Sequence, residues 1–208
     1  MARAFVYTEL QTSVPFADAP WRELNPVIAR QPGFRSKTWL AGALNHSLGG
    51  FYEFDTIESA RAFVVGYFPE EARRFGVPQT TRIFDAEIVE TASRYLNSAH
   101  FGGVVRTRPG AFVYTEAQIS VPFAEAPWRD MNPILKAQPG LLHKTWLSGV
   151  GNNSVGGFYA FDTLENASRF VTDYFPTETR ALGVAYTTRL FDARPVADAS
   201  RALGSQFF

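Results

Sequence analysis

The sequence predicts an α+β protein made of two fused ferredoxin-like repeats, each ordered β-α-β-β-α-β. Two observations carry this expectation. The first is a duplication: Ala4-Phe5-Val6-Tyr7-Thr8-Glu9 recurs as Ala111-Phe112-Val113-Tyr114-Thr115-Glu116. The offset of 107 residues holds without a gap to Phe84-Asp85-Ala86 against Phe191-Asp192-Ala193. Roughly 60% of the aligned positions are identical, which marks duplication rather than chance. A unit of about 95 residues is too long for a solenoid repeat and right for a small domain. The second observation is that strand-period and helix-period segments alternate in the same order in both copies. Boundaries follow at 1–98 for the first repeat, 99–110 for a linker containing Gly102-Gly103 and Pro109-Gly110, and 111–208 for the second repeat.

Phe5, Tyr7 and Glu9 alternate with Val6 and Thr8, as a first strand requires. Val14-Pro15-Phe16 leads to Asp18, an expected N-cap, and a helix runs through Trp21 and Leu24 toward Ile28, with Pro26 able to kink it. Trp21 and Trp128 are expected in core or helix–sheet packing. Gln31-Pro32-Gly33 stops the helix. Phe34 to Leu40 forms a second strand, Asn45 to Gly50 a turn, and Phe51 to Phe54 a third strand hairpinned to the second. Thr56 caps a helix with apolar Ile57, Ala60, Phe63, Val64 and Tyr67. A short helical piece after Pro69 ends at Gly76, and Thr80 to Phe84 closes the unit. Helices cover one sheet face. The other carries aromatics and needs a cover, for which the second copy is the candidate.

Lys plus Arg and Asp plus Glu are each 20, so the net charge is zero, against a general nucleic-acid binder. Cys is 0, which removes disulfides, thiolate metal sites and a Cys nucleophile. No apolar run reaches the roughly 20 residues of a membrane helix. Met1-Ala2-Arg3 enters a strand pattern at once, and the expected location is the cytoplasm. No dinucleotide fingerprint, P-loop or nucleophile elbow is present, so flavin and nicotinamide chemistry are unsupported. The 3 His do not cluster at metal spacing, so no metal is expected. His100 falls in the linker and is expected exposed. His143, opposite Ser36, is expected on a strand surface.

Several residue types suit a site. His46, in the hairpin turn, is either a turn residue or a general base. Trp39 and Trp146, flanked by Lys37 and Lys144, either pack the core or form a wall for a planar substrate. Tyr7 and Tyr114 can orient a phenolic or enolic oxygen. Arg82 and Arg189 either pair with Glu9 and Glu116 or stabilise an enolate. Asn45 and Asn152 survive duplication with the paired glycines after them, either as turn formers or as donors to an oxyanion.

Gln31-Pro32-Gly33-Phe34, Lys37-Thr38-Trp39 and Asn45-His46-Ser47-Leu48-Gly49-Gly50-Phe51-Tyr52 resemble the YdhR family of mono-oxygenases. Phe75-Gly76-Val77 and Arg82-Ile83-Phe84-Asp85 fit its closing segment, and the second half repeats the pattern from Gln138-Pro139-Gly140 to Leu182-Gly183-Val184. The resemblance implies an intramolecular dimeric α/β barrel, a pseudo-dimer within one chain that can associate further. It implies a small cofactor-independent mono-oxygenase acting on a hydrophobic aromatic or polyketide-like substrate with molecular oxygen, with haem left open. A cyclase or isomerase, or a non-catalytic binding protein, stays as the alternative. His46 stands against Asn153, Glu53 against Ala160, Ser36 against His143, Arg35 against Leu142 and Gln79 against Tyr186. Glu53 shares a face with Phe51 and is expected to act as acid or base. Two non-equivalent pockets follow, with the first half, carrying His46 and Glu53, expected to be the active one.

Overall fold

The computed structural model describes residues 3–12, 14–119 and 121–208. The expected run of Met1 and Ala2 into the first strand lies outside them, and the strand opens at Ala4. Two compact units form, Met1–Glu87 with Ala193–Phe208, and Ile88–Asp192.

In the first unit, β1 (Ala4–Leu10) lies between β3 (Leu48–Phe54) and β4 (Gln79–Asp85), and β2 (Phe34–Gly42) pairs the other edge of β3; all pairs are antiparallel. Between them run α1 (Trp21–Ala29), α2 (Ile57–Ala62), a π-turn at Phe63–Tyr67 and α3 (Phe68–Phe75). The second unit repeats this as β5 (Ala111–Gln118), α5 (Trp128–Lys136), β6 (Leu141–Ser148), β7 (Ser154–Phe161), α6 (Leu164–Arg169), a π-turn at Phe170–Tyr174, α7 (Phe175–Leu182) and β8 (Tyr186–Asp192). Each is the expected ferredoxin-like unit.

Register decides which side chains meet the helices. Val6, Tyr52 and Lys37 stand abreast in one row, and Thr8, Gly50 and Trp39 in the next. Because strand side chains alternate, both rows share a face. Phe63 packs on it, 5.0 Å from the Tyr52 ring and 5.1 Å from that of Phe54. Phe5, Tyr7, Phe51 and Glu53 share the opposite face. A register shift between Phe34 and Ser36, matched at Leu141 and His143, lets β2 and β6 each carry an extra residue there.

Thr56 caps α2 as expected, accepting from the Ser59 amide at 3.0 Å. Gly76 closes α3 at φ 64. The π-turn follows from Pro69. Proline lacks an N–H and its ring crowds the carbonyl four residues back, so the helix widens rather than continuing in α-form.

Other expectations need correction. Asp18 does not cap α1; it ends a 3-10 turn, and Pro20 holds the N-cap position. The third strand begins at Leu48, inside the expected turn, because the glycines belong to the strand. Trp21 and Trp128 are only half-buried, each with an arginine, Arg22 or Arg129, stacked 4.3 Å from its ring centre.

The repeat also extends beyond β4 and β8. Val89, Ala92, Ser93, Leu96 and Ser98 recur as Val196, Ala199, Ser200, Leu203 and Ser205. They form α4 (Glu90–Tyr95) and α8 (Ala197–Arg201) with the residues that follow each helix. The apolar members are buried at helical spacing. In the first unit the tail bonds to β2. Leu203 O accepts from the Lys37 amide at 3.1 Å, Ser200 Oγ accepts from the Trp39 amide at 2.9 Å, and Ser205 Oγ meets Thr38 Oγ1 at 2.7 Å. In the second unit Leu96, Ser93 and Ser98 do the same for Lys144, Trp146 and Thr145, at 3.2, 2.9 and 2.7 Å. Backbone amides of β2 and β6 that neighbouring strands leave unpaired are thereby satisfied. His100, in the segment expected to link the repeats, is buried, with Nδ1 2.8 Å from Thr145 Oγ1. His143 is buried too rather than on a surface: its Nδ1 lies 2.6 Å from Asn97 O, and burial lowers its pKa.

Buried Asn25 ties three parts of the first unit together. Its Oδ1 accepts from Trp39 Nε1 at 2.9 Å and its Nδ2 donates to Ala199 O at 2.9 Å. Asn25→Ala strands both partners and is expected to cost roughly 2–4 kcal/mol in urea unfolding. Leu44 is fully exposed at φ 68, where the second repeat has Gly151 at φ 78. Leu44→Gly is expected to stabilise by about 1 kcal/mol, read as a raised unfolding midpoint, because glycine relieves the left-handed backbone.

Candidate functional site

Each unit holds a cavity between the helix-covered sheet face and its helices. In the first, Thr8, Lys37, Trp39 and Tyr52 supply the floor, Leu24 and Ile28 of α1 one wall, and Tyr67, Phe68 and Glu71 the other. The second has Thr115, Lys144, Trp146 and Tyr159 below, Met131 and Leu135 on α5, and Phe175 and Glu178 on α7.

The distinctive group is the lysine. Lys37 and Lys144 are each 1% exposed. Lys37 Nζ sits 2.8 Å from the centre of the Trp39 ring and 4.8 Å from that of Tyr52. Lys144 Nζ repeats this at 2.9 Å from Trp146 and 4.9 Å from Tyr159. Burial drives both amines well below the usual lysine pKa, opposed by the charge of Glu71 or Glu178. Burial therefore disfavours the charged form of each amine.

The surroundings follow from sequence. A Cβ on Gly50 would strike Lys37 Cε and the Tyr52 ring, and one on Gly49 would strike the Thr8 carbonyl. Gly157 and Gly156 stand in the same relation to Lys144, Tyr159 and Thr115. Gly50 and Gly157 thus leave the recess in which the lysine stem lies, and Gly49 and Gly156 let the neighbouring strand approach. Trp39 is held by Asn25 and edge-on by Phe16, 5.7 Å away. Trp146 is held by Asn132 at 2.8 Å and by Phe123 at 5.8 Å.

Polar groups close the cavity. Tyr67 Oη and Glu71 Oε2 are buried without a hydrogen-bond partner among the described residues, while Glu71 Oε1 pairs with Arg74 at 3.3 Å. Burial, with the Glu71 carboxylate next, pushes the Tyr67 phenol up to about 12. Burial also raises Tyr52, with the nearby Thr8 hydroxyl opposing the shift. Thr115 Oγ1 donates to Tyr159 Oη at 3.4 Å. The arrangement offers a base, an aromatic plane and phenol donors around an apolar space.

Of the residues singled out in the sequence, Lys37, Trp39, Lys144 and Trp146 line these cavities. The others lie elsewhere. Tyr7 and Tyr114 are buried on the opposite sheet face, each donating to Glu9 or Glu116 at 2.8 Å. Arg82 and Arg189 donate to the Thr81 and Thr188 carbonyls at 2.9 Å. Asn45 and Asn152 are exposed, and their Oδ1 atoms accept from the Ser47 and Ser154 amides at 3.1 and 2.9 Å. His46 is exposed in the same turn at φ 52, its carbonyl accepting from Thr12. Glu53 is buried between Arg3 at 3.0 Å and Arg35 at 3.5 Å, and burial raises its pKa against both guanidiniums. Sequence reasoning missed Tyr52, Tyr67, Glu71 and their counterparts. A signal existed: Glu71 recurs as Glu178 while its neighbour Glu70 becomes Thr177.

Among the described residues no group of three His, Asp or Glu can hold a metal ion, and no helix is long and apolar enough to cross a membrane. Neither cavity lining includes a His, so these residues do not fit a haem held through imidazole.

The cavity residues of the first unit fall inside a segment with a recognisable relative. Residues 8–98 match the family described as putative mono-oxygenase ydhR. No curated protein matches the chain. Solved structures share its fold. An anthrone oxidase-like protein is 15% identical with a TM-score of 0.59, covering 92% of this chain and 91% of its own. A putative chlorite dismutase is 13% identical with a TM-score of 0.57, covering 97% and 98%. A putative monooxygenase from Fusobacterium nucleatum is 9% identical with a TM-score of 0.53, covering 92% of each.

The buried lysines predict a pH signature. Their folded pKa lies below the unfolded value of about 10.4, so between the two the unfolded chain binds more protons and stability rises with pH. Each lysine contributes a slope of up to about 1.4 kcal/mol per pH unit in that window, lost below the folded pKa. Lys37→Met with Lys144→Met is expected to flatten the slope and to stabilise the fold at pH 7, measured by urea unfolding from pH 7 to 10.

Proposed function

We propose that the protein is a cofactor-independent mono-oxygenase that takes a hydrophobic, fused-ring substrate with an acidic C–H, in the manner of an anthrone, at its lysine–tryptophan cavity. The observation that carries this reading is a buried amine against an indole face, with no hydrogen-bond acceptor among the described residues, in a cavity where phenols and one carboxylate interrupt apolar walls. The ydhR match over residues 8–98 and the likeness to an anthrone oxidase-like fold agree with it.

The chemistry needs little from the protein. The neutral lysine removes a proton from the activated methylene of a ring stacked on the tryptophan. The carbanion is delocalised into an enolate whose oxygen takes a hydrogen bond from a tyrosine phenol. Molecular oxygen accepts the electrons and forms a C–O bond, giving a peroxide that recovers the proton from the lysine. Loss of the second C–H proton with departure of hydroxide leaves a carbonyl and water. One methylene and one dioxygen thus become one carbonyl and one water, with no external reductant. A dry cavity keeps the carbanion from reprotonation by solvent.

Oxygen consumption with anthrone as substrate tests this. Lys37→Met with Lys144→Met is expected to lower kcat by roughly 10²–10⁴-fold. The rate should rise with pH and reach its plateau well below pH 10, because the base must be unprotonated and its pKa is depressed. No oxygen consumption across a panel of anthrones and naphthols defeats the proposal. Turnover that persists under nitrogen moves the protein to the isomerases.

A further inference from the structure

The two cavities carry the same chemistry at different sizes. The first has a volume of about 70 Å³ and the second about 320 Å³. A cavity of about 150 Å³ is known to admit benzene. The first is smaller than that, whereas the second falls at the lower end of the roughly 300–1,000 Å³ range of small-molecule sites.

The sequence accounts for the difference. Leu10 on the first floor is Ala117 on the second, Leu48 is Val155, and Phe75 is Leu182. Each change removes carbon from the lining. Thr12 against Ile119 and Ala72 against Thr179 run the other way. The larger cavity keeps Lys144, Trp146, Tyr159 and Glu178.

We propose that the second unit's cavity is the one that binds substrate, that it takes a planar aromatic of two to three fused rings, and that Ala117, Val155 and Leu182 set that size limit. The first unit's cavity is closed to such molecules by Leu10, Leu48 and Phe75. This reverses the expectation, drawn from His46 and Glu53, that the first half is active. It rests on the proposed function for the type of ligand, but its test reads binding rather than turnover.

The experiment is calorimetric titration of the full chain with anthrone and with 2-naphthol. The expected stoichiometry is one per chain. Ala117→Leu is expected to weaken anthrone binding at least tenfold while 2-naphthol loses less. Val155→Leu, one methylene larger, gives the same order of effect with less risk to folding, checked by circular dichroism. Leu10→Ala is expected to create a second site and raise the stoichiometry toward two. Two sites in the unmodified chain, no binding of either probe, or anthrone binding indifferent to Ala117→Leu and Val155→Leu overturns the inference. One site that vanishes with Ala117→Leu but consumes no oxygen upholds it and sinks the oxygenase reading instead.

Discussion

An amine held out of water against an indole ring sets conditions that the rest of each repeat meets. The lysine stem needs a recess, and Gly50 and Gly157 leave one where any Cβ would collide. The indole needs a fixed plane, supplied by Asn25 and Asn132. The strand bearing both has amides that its sheet neighbours leave unpaired, and the tail serines and leucines accept from them. Burying an ionisable group is costly unless it is paired or neutral, and here the charged form is the one that yields.

The duplicated chain holds two versions of that site under one set of constraints. Residues that touch the lysine are identical between repeats, while the walls differ. Chemistry and shape have thus drifted at different rates within one sequence, and the differences at His46 and Glu53 lie outside the cavity. Glu53, attractive as a catalytic acid by its position, belongs to an arginine cluster with Arg3 and Arg35 that the second repeat lacks.

Much of the fold was legible because local chemistry agrees with it. The alternation at Phe5 and Tyr7, the Pro-Gly stop before Phe34, the Thr56 cap and the Gly76 terminus each have one physical meaning and keep it. Where meaning was shared between contexts the reading slipped. Asp18 is a good cap by type, but Pro20 begins the helix. Gly49-Gly50 reads as turn chemistry, yet serves close packing within a strand. The site was half legible: Lys37 and Trp39 share a face by period alone. Glu71 and Tyr67 reach them only through a helix widened at Pro69, and no linear pattern reports that geometry. Residues chosen for reactivity, His46 and Asn45, turn out to shape backbone.

The tails give the chain an unusual order of completion. Trp39 finds its capping serine 161 residues later in sequence, whereas Trp146 finds its own 53 residues earlier. During synthesis on the ribosome, every residue of the second unit has been made once Asp192 is added. The first unit, whose strands emerge before those of the second, lacks the acceptors for its Lys37 and Trp39 amides until Ala193–Phe208 arrive. The unit whose strands are made earlier is therefore the later of the two to be completed, and through that interval those amides are open to pairing with other nascent chains.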